Sequence, residues 1–424
     1  MHVVRSARMS VEPLEQSGAL NGDTLLLFVT RFTRLFAYGS LSVVLVLYLT
    51  SVGLRESQIG LLLTLTLLGD TAVSLLLTTR ADRIGRRRML LIGAVLMAAA
   101  GVAFACTRNF LFLLLAGTIG VISPSGNEVG PFLPIEQAAM AHVVAARQRT
   151  AFFAWYSLTG SLATAAGSLV AGFLTQALEH AAWPPVASER SVIFLYAVLG
   201  GLLGLLVLQL SPAVEVSKEQ ETTSARTLLG VGPSRAVVLR LSGLFALDAF
   251  GGGFVVQSFA AYWFFLRFGV RPVTLGGIFF GANLFAGISS LMAIRLASRI
   301  GLIRTMVFTH LPSNLLLILI PLMPNLPLAV GVLLVRFSIS QMDVPTRQSY
   351  TMAIVSPHER SAAAGITGVA RTTGAALAPF FAGLLFARPA LIDLPFFIAG
   401  TLKIIYDLLL YRAFVQVVPP EEVR

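Results

Sequence analysis

The chain is poor in charge and almost free of cysteine. Only 12% of its 424 residues are Asp, Glu, Lys or Arg, about half the share of a water-soluble globular protein. That leaves too little polar surface to cover a soluble particle of this size, so the bilayer must solvate much of the chain. Cys106 is the single cysteine, which excludes an intrachain disulfide. The five histidines, His2, His142, His180, His310 and His358, are scattered and give no metal-ligand spacing. No Gly-x-x-x-x-Gly-Lys-Ser/Thr loop is present, so ATP is not an evident energy source, and no other cofactor is implied. There is no Asn-x-Ser/Thr acceptor. Residues 1–22 lack the apolar core of a cleavable signal and read as a cytosolic tail.

What the chain has is apolar length. Hydrophobic residues make up 56% of it, in continuous runs such as Met89–Phe104 and Val192–Leu210. A transmembrane helix needs roughly 20 such residues, whereas a barrel would show short alternating segments. Twelve spans follow, near 24–50, 57–79, 89–107, 110–132, 150–177, 191–210, 238–266, 273–297, 303–322, 327–350, 361–386 and 391–413. The organisation expected is a tail over 1–23, a six-helix bundle over 24–210, a polar cytosolic linker over 211–237, a second bundle over 238–413 and a tail over 414–424. The net charge of +11 sits in short loops, so it reads as topology and not as nucleic-acid binding. Most arginines, Arg80, Arg86, Arg88, Arg295 and Arg360 among them, fall on the side of the termini. Only Arg55, Arg108, Arg190, Arg267, Arg271 and Arg388 fall opposite. Both termini are therefore expected in the cytoplasm.

The halves repeat. Residues 51–60 match 267–276, and Ala81-Asp82-Arg83-Ile84-Gly85 matches Ala297-Ser298-Arg299-Ile300-Gly301, both at an offset of 216. Further on the offset is 211, placing Pro134, Gln137, Val144, Arg149 and Gly172 on Pro345, Gln348, Val355, Arg360 and Gly383. Such duplication implies a parallel repeat with a site between the halves.

Between spans 2 and 3 stands Ala-Asp-Arg-Ile-Gly-Arg-Arg-Arg, residues 81–88. It resembles the major facilitator signature Gly-x-x-x-Asp-Arg-x-Gly-Arg-Arg, with Thr78 in place of the leading glycine. The resemblance implies an all-α membrane protein of twelve helices in two pseudo-symmetric six-helix bundles. It also implies a conformational-switch loop at Asp82, Arg83, Gly85, Arg86 and Arg87. Span 5, with Gly167 and Gly172, and span 11, with Gly374, Pro379 and Gly383, are similar to the small-residue motif of family antiporters, although span 5 lacks its proline. Small residues on a helix face also serve plain helix packing.

By the same resemblance, spans 1, 4, 7 and 10 line a central cavity. Ionisable groups in a membrane face a cavity or a partner. Span 1 carries Arg31 and Arg34. Span 4 carries Asn127 and Glu128 among Pro124, Gly126, Gly130 and Pro131, which should break the helix. Span 7 carries Asp248 beside three glycines, span 10 carries Arg336 and Asp343, span 2 adds Asp70 and span 11 adds Arg371. Arg31, Glu128 and Asp343 are expected to share one part of the cavity, with Glu128 the first candidate for proton transfer. Static pairing of Arg31 or Arg34 with Glu128 is the competing reading. Lys403 and Asp407, at i,i+4 spacing, are expected to pair with each other.

The expected activity is secondary transport of a small-molecule substrate, coupled to protons, as efflux by antiport. Uptake of an organic anion by symport is the second form, suggested by Arg31, Arg34, Arg336 and Arg371. A non-transporting sensor or scaffold of the same fold is the reading from another class. No enzyme arrangement is present. The protein is expected to act as a monomer in the plasma membrane of a bacterium, since arginine far outnumbers lysine.

Overall fold

The computed structural model describes residues 22–143, 149–215, 234–356 and 359–417. Its first half holds α1 (Gly22–Ser51), α2 (Glu56–Ile84), α3 (Arg86–Cys106), α4 (Phe110–Ile119), α5 (Phe132–Val143), α6 (Arg149–His180) and α7 (Pro185–Leu208). The second half holds α8 (Arg235–Gly253), α9 (Gln257–Phe268), α10 (Pro272–Ile300), α11 (Leu302–Leu319), α12 (Leu326–Ser340), α13 (Asp343–Ala353), α14 (Arg360–Phe386) and α15 (Leu394–Phe414). Eleven spans are long and apolar enough to cross a bilayer. The twelfth is α4 followed by α5, so the count matches the sequence. Leu111, Phe112, Leu115, Val198 and Leu205 are exposed, as befits helix faces turned to lipid. No strand occurs among the described residues.

Three spans are interrupted. Span 4 stops at Ile119 and resumes only at Phe132, so it extends well past the expected end at 132. Span 7 breaks after Gly251-Gly252-Gly253, and span 10 breaks at Gln341 and Met342. The break in span 4 explains the change of repeat offset. α5 and α13 begin at residues 132 and 343, at the later offset of 211. The first half is longer there by five residues, and the unwound stretch 120–131 accommodates them.

The repeat also extends to backbone geometry. Gly53 and Gly269 have φ of 99° and 63°, and Gly85 and Gly301 have φ of 116° and 87°. Each pair is separated by the early offset. These turns need a residue without a Cβ, because other residues pay for positive φ.

The halves meet through α10 on α6, α14 on α2, and α9 on α1. The contacts gather at the end remote from the termini. Gly60 lies against the backbone of Pro379 and Gly383, and Gly172 against that of Pro272 and Gly276. Tyr262 donates to Glu56 at 2.8 Å, and the Phe380 N–H donates to Thr64 at 2.9 Å. Deeper in, Gln257 donates to the hydroxyls of Ser42 and Ser168 at 2.8 and 3.3 Å and accepts from Asn283 at 3.1 Å. Toward the other end the described residues of α2 and α14 draw apart. Gly365 lies five helical turns from Gly383 at 3.6 residues per turn, on the same face of α14. Neither it nor Gly368 has any atom within 4 Å of where a side chain would stand. The gap between α2 and α14 therefore widens toward the termini.

Candidate functional site

The unwound stretch of span 4 shapes the first half of the site. Its prolines and the positive-φ residues Gly126 and Gly130 (70° and 80°) stop the helix. Backbone groups freed inside a membrane must find partners, and here side chains supply them. Tyr196 donates to the Val121 carbonyl at 2.6 Å, Tyr38 to Val129 at 3.2 Å, Thr164 to Gly126 at 3.2 Å and Ser123 to Asn127 at 2.7 Å. The Ser258 hydroxyl and N–H both donate to the Pro124 carbonyl. Held this way, the segment brings Glu128 to α1 and leaves Asn127 exposed in the middle of the span.

Glu128 accepts from Arg31 at 3.1 Å and from Arg34 at 2.7 Å. Such pairing is one of the two readings the sequence leaves open. The sequence did not foresee Glu136, on the part of span 4 that was expected to lie in a connector. Arg34 forks onto Glu136 through two bonds of 2.8 and 2.7 Å. Thr30 donates to the same carboxylate at 3.0 Å, and Tyr156 donates to it as well. The guanidinium of Arg31 lies 4.2 Å over the Tyr156 ring, and that of Arg34 lies 4.6 Å over Phe132. Arg34 is thus filled by two carboxylates in the bidentate and stacked geometries that suit guanidinium, whereas Arg31 bonds Glu128 alone and keeps its Nε buried without an acceptor.

Asp70 of α2 is different. It is buried, with the Gly130 backbone beside it and Glu128 within electrostatic reach. No cation forms an ion pair with it among the described residues, and its Oδ1 has no hydrogen-bond partner.

The second half gathers its charges around Asp248 of α8. Lys403 lies 2.6 Å from Asp248, Arg347 lies 3.3 Å away, and the His310 Nε2 lies 3.7 Å away. Arg347 also bonds Asp343 at 2.9 Å. Asp343 therefore belongs to this cluster, while Arg31 and Glu128 belong to that of the first half. The expected Lys403–Asp407 pair is corrected. Lys403 reaches across to α8, where Gly251 and Gly252 leave room for its stem. Asp407 instead accepts from Asn314 at 2.9 Å and bonds the His310 Nδ1 at 2.8 Å. Arg347, which the expected span 327–350 sets near its terminus-side end, is buried. Arg336 and Arg371 make no ion pair among the described residues, and the Nε of each is buried without an acceptor.

At the switch loop, the side chains of Asp82 and Arg83 lie outside the described residues. The Glu215 carboxylate caps α3, accepting from the N–H groups of Arg86 and Arg87 at 2.6 and 3.2 Å. The side chain of Arg87 reaches the Leu208 carbonyl at 2.8 Å. In the small-residue motif, Gly167 packs on the backbone of α1 and Gly374 on that of α8, each within its own half. Gly172 and Gly383 pack across the halves. No group of His, Cys, Asp and Glu able to hold a metal occurs among the described residues.

Two duplicated six-helix bundles, packed together at one end around buried charge on broken spans, define a polytopic helical membrane protein of the transporter type. The chain belongs to the Major Facilitator Superfamily, whose family model matches residues 27–379. It is 31% identical to the uncharacterized membrane protein YJR124C of Saccharomyces cerevisiae, over 93% of this chain and 94% of that one. It is 25% identical to the quinolone resistance protein NorA of Staphylococcus aureus over 48% of each chain. Among solved structures, a mutant of the nucleoside transporter NupG aligns with a TM-score of 0.76 at 16% identity, covering 92% of this chain and 99% of that one. The D-xylose-proton symporter aligns with a TM-score of 0.72 at 16% identity, covering 95% and 99%. These likenesses establish the fold.

Proposed function

We propose that the protein exports a small solute by alternating access in exchange for protons. The observation that carries coupling is the unequal treatment of the buried carboxyls. Glu128, Glu136, Asp248 and Asp343 each have a cation at ion-pair distance, and Asp70 has none among the described residues. A carboxylate without a cation is expensive in a membrane. Glu189 near the start of α7 is likewise buried without an ion pair among the described residues, but Asp70, within electrostatic reach of Glu128, is the one placed to bind and release a proton as water reaches the cavity from alternate sides. Protonated, it leaves the Arg31–Glu128–Arg34–Glu136 array undisturbed. Ionised, it repels Glu128 and loosens the unwound segment that presents Asn127 to the cavity. Glu128, the first candidate from sequence, then transmits the proton's presence to the arginines. Similarity to a resistance protein, NorA, supports export over uptake.

The test uses purified protein in liposomes loaded with a pH-sensitive dye and challenged with a broad solute panel. The expected result is solute-dependent proton movement, abolished in Asp70→Asn, which still exchanges solute for solute. Undiminished proton movement in Asp70→Asn would remove Asp70 from this role. No proton movement with any transported solute would remove the coupling. Sided loading then separates export from uptake.

A further inference from the structure

We infer that the substrate is an organic anion, and that Arg336 of α12 and Arg371 of α14 receive its carboxylate, sulfonate or phosphate group. The inference rests on the transporter reading and names the substrate class of the same cavity. Its basis is the charge balance of the second half. Four cations, Arg336, Arg347, Arg371 and Lys403, lie around three carboxylates, Asp248, Asp343 and Asp407. Asp407 is taken by His310 and Asn314. Asp248 and Asp343 are taken by Lys403 and Arg347. Arg336 and Arg371 feel these acids only at longer range, and Arg371 also lies within reach of the like charge on Arg347. Neither has a carboxylate within 4 Å among the described residues.

Both residues are half-buried, with the Nε itself shut off from solvent. A cation so placed without a partner carries a cost, and where Arg31, Arg34, Arg347 and Lys403 each have a carboxylate these two have none among the described residues. In the first half each arginine already has a carboxylate, Arg34 two and Arg31 one, although the Nε of Arg31 also lacks an acceptor. Placement fits a ligand. Arg336 lies on the face of α12 that bears the buried Leu333 and Ser340, away from the lipid-facing Leu328 and Val335. Arg371 lies one turn from Gly368, where the gap between α2 and α14 leaves free space, so a solute entering there meets it. Guanidinium presents a planar fork that matches such anions through two parallel bonds. The substrate would complete the charge balance and would be drawn to the site in the open state.

The test is binding, which does not require transport. Purified protein in phosphatidylcholine nanodiscs is titrated with benzoate, benzenesulfonate and phenyl phosphate, with benzyl alcohol and benzylamine as neutral and cationic counterparts. Binding and thermal stabilisation are both read. At least one anion is expected to bind about tenfold or more tightly than its neutral counterpart, the size of one charge-assisted hydrogen bond. Arg336→Gln and Arg371→Gln are expected to lose that preference, and Arg336→Lys and Arg371→Lys to retain part of it. Equal binding of neutral and anionic probes by the unaltered protein would overturn the inference without any variant, as would a failure of all three anions to bind. Complete displacement of the anions by phosphatidylglycerol in the nanodisc would assign the arginines to a lipid headgroup and overturn the substrate assignment. Anion binding that depends on both arginines, with no proton movement in liposomes, would uphold this inference while sinking the coupling proposed above.

Discussion

Glu136 and Arg347 occupy the same position in the two halves, the fifth residue of α5 and of α13, and they carry opposite charges. Each ties the first and fourth spans of its half together. In the first half an acid on span 4 holds a base on span 1, through Glu136 and Arg34. In the second half a base on span 10 holds an acid on span 7, through Arg347 and Asp248. The duplicated scaffold thus keeps the link between first and fourth spans and reverses its polarity.

Removing either residue strands its partner. Glu136→Gln leaves the fully buried Arg34 with only Glu128, and breaking a buried pair costs about 3–5 kcal/mol. A clear fall in melting temperature is expected for Glu136→Gln. A smaller fall is expected for Glu128→Gln, whose side chain retains 15% exposure and so access to water. Thermal unfolding in detergent ranks the two, and equal stability would contradict the tying role of Glu136.

The Lys403–Asp248 bond makes the matching prediction in the second half. Lys403→Met is expected to destabilise by about 3–5 kcal/mol, because it removes the nearest cation from a buried carboxylate. Adding Asp248→Asn should recover part of the loss, since the neutral amide no longer needs that cation. A double variant no more stable than Lys403→Met would place the cost elsewhere.

Much of the architecture was legible in the sequence, and the reason is solvent. A bilayer forces long apolar runs, and both the twelve spans and their duplication could be read from them. Glu128 was legible too, since a carboxylate among prolines and glycines on span 4 faces arginines on span 1. Glu136 was not. Span 4 was expected to end at 132, just after Pro131, so a residue beyond it looked like connector. The signal that could have found it was the repeat itself, because the later offset sets Glu136 opposite Arg347. Lys403 misled for another reason. Spacing along one helix said nothing of the glycines on α8 that admit its side chain.

The small residues divide into two roles with separable consequences. Gly172→Val and Gly383→Val place a side chain against backbone of the opposite half. They are expected to favour parting of the closed end while the fold persists. Gly167→Val meets the α1 backbone inside one half and is expected to lower yield and melting temperature. The first effect is read by maleimide labelling of a cysteine placed at Ser42 in a Cys106→Ser background, applied from the closed side. Stable Gly172 and Gly383 variants with unchanged labelling would refute the division.

The contact among Gln257, Ser42, Ser168 and Asn283 is made of amides and hydroxyls alone. Such a latch can open without separating opposite charges, so neither ionic strength nor membrane voltage acts on its bonds directly. Electrical sensitivity of the transport cycle must then originate outside this latch, in the arginine clusters and their cargo or in Glu56, which takes the Tyr262 hydroxyl at the rim of the same end.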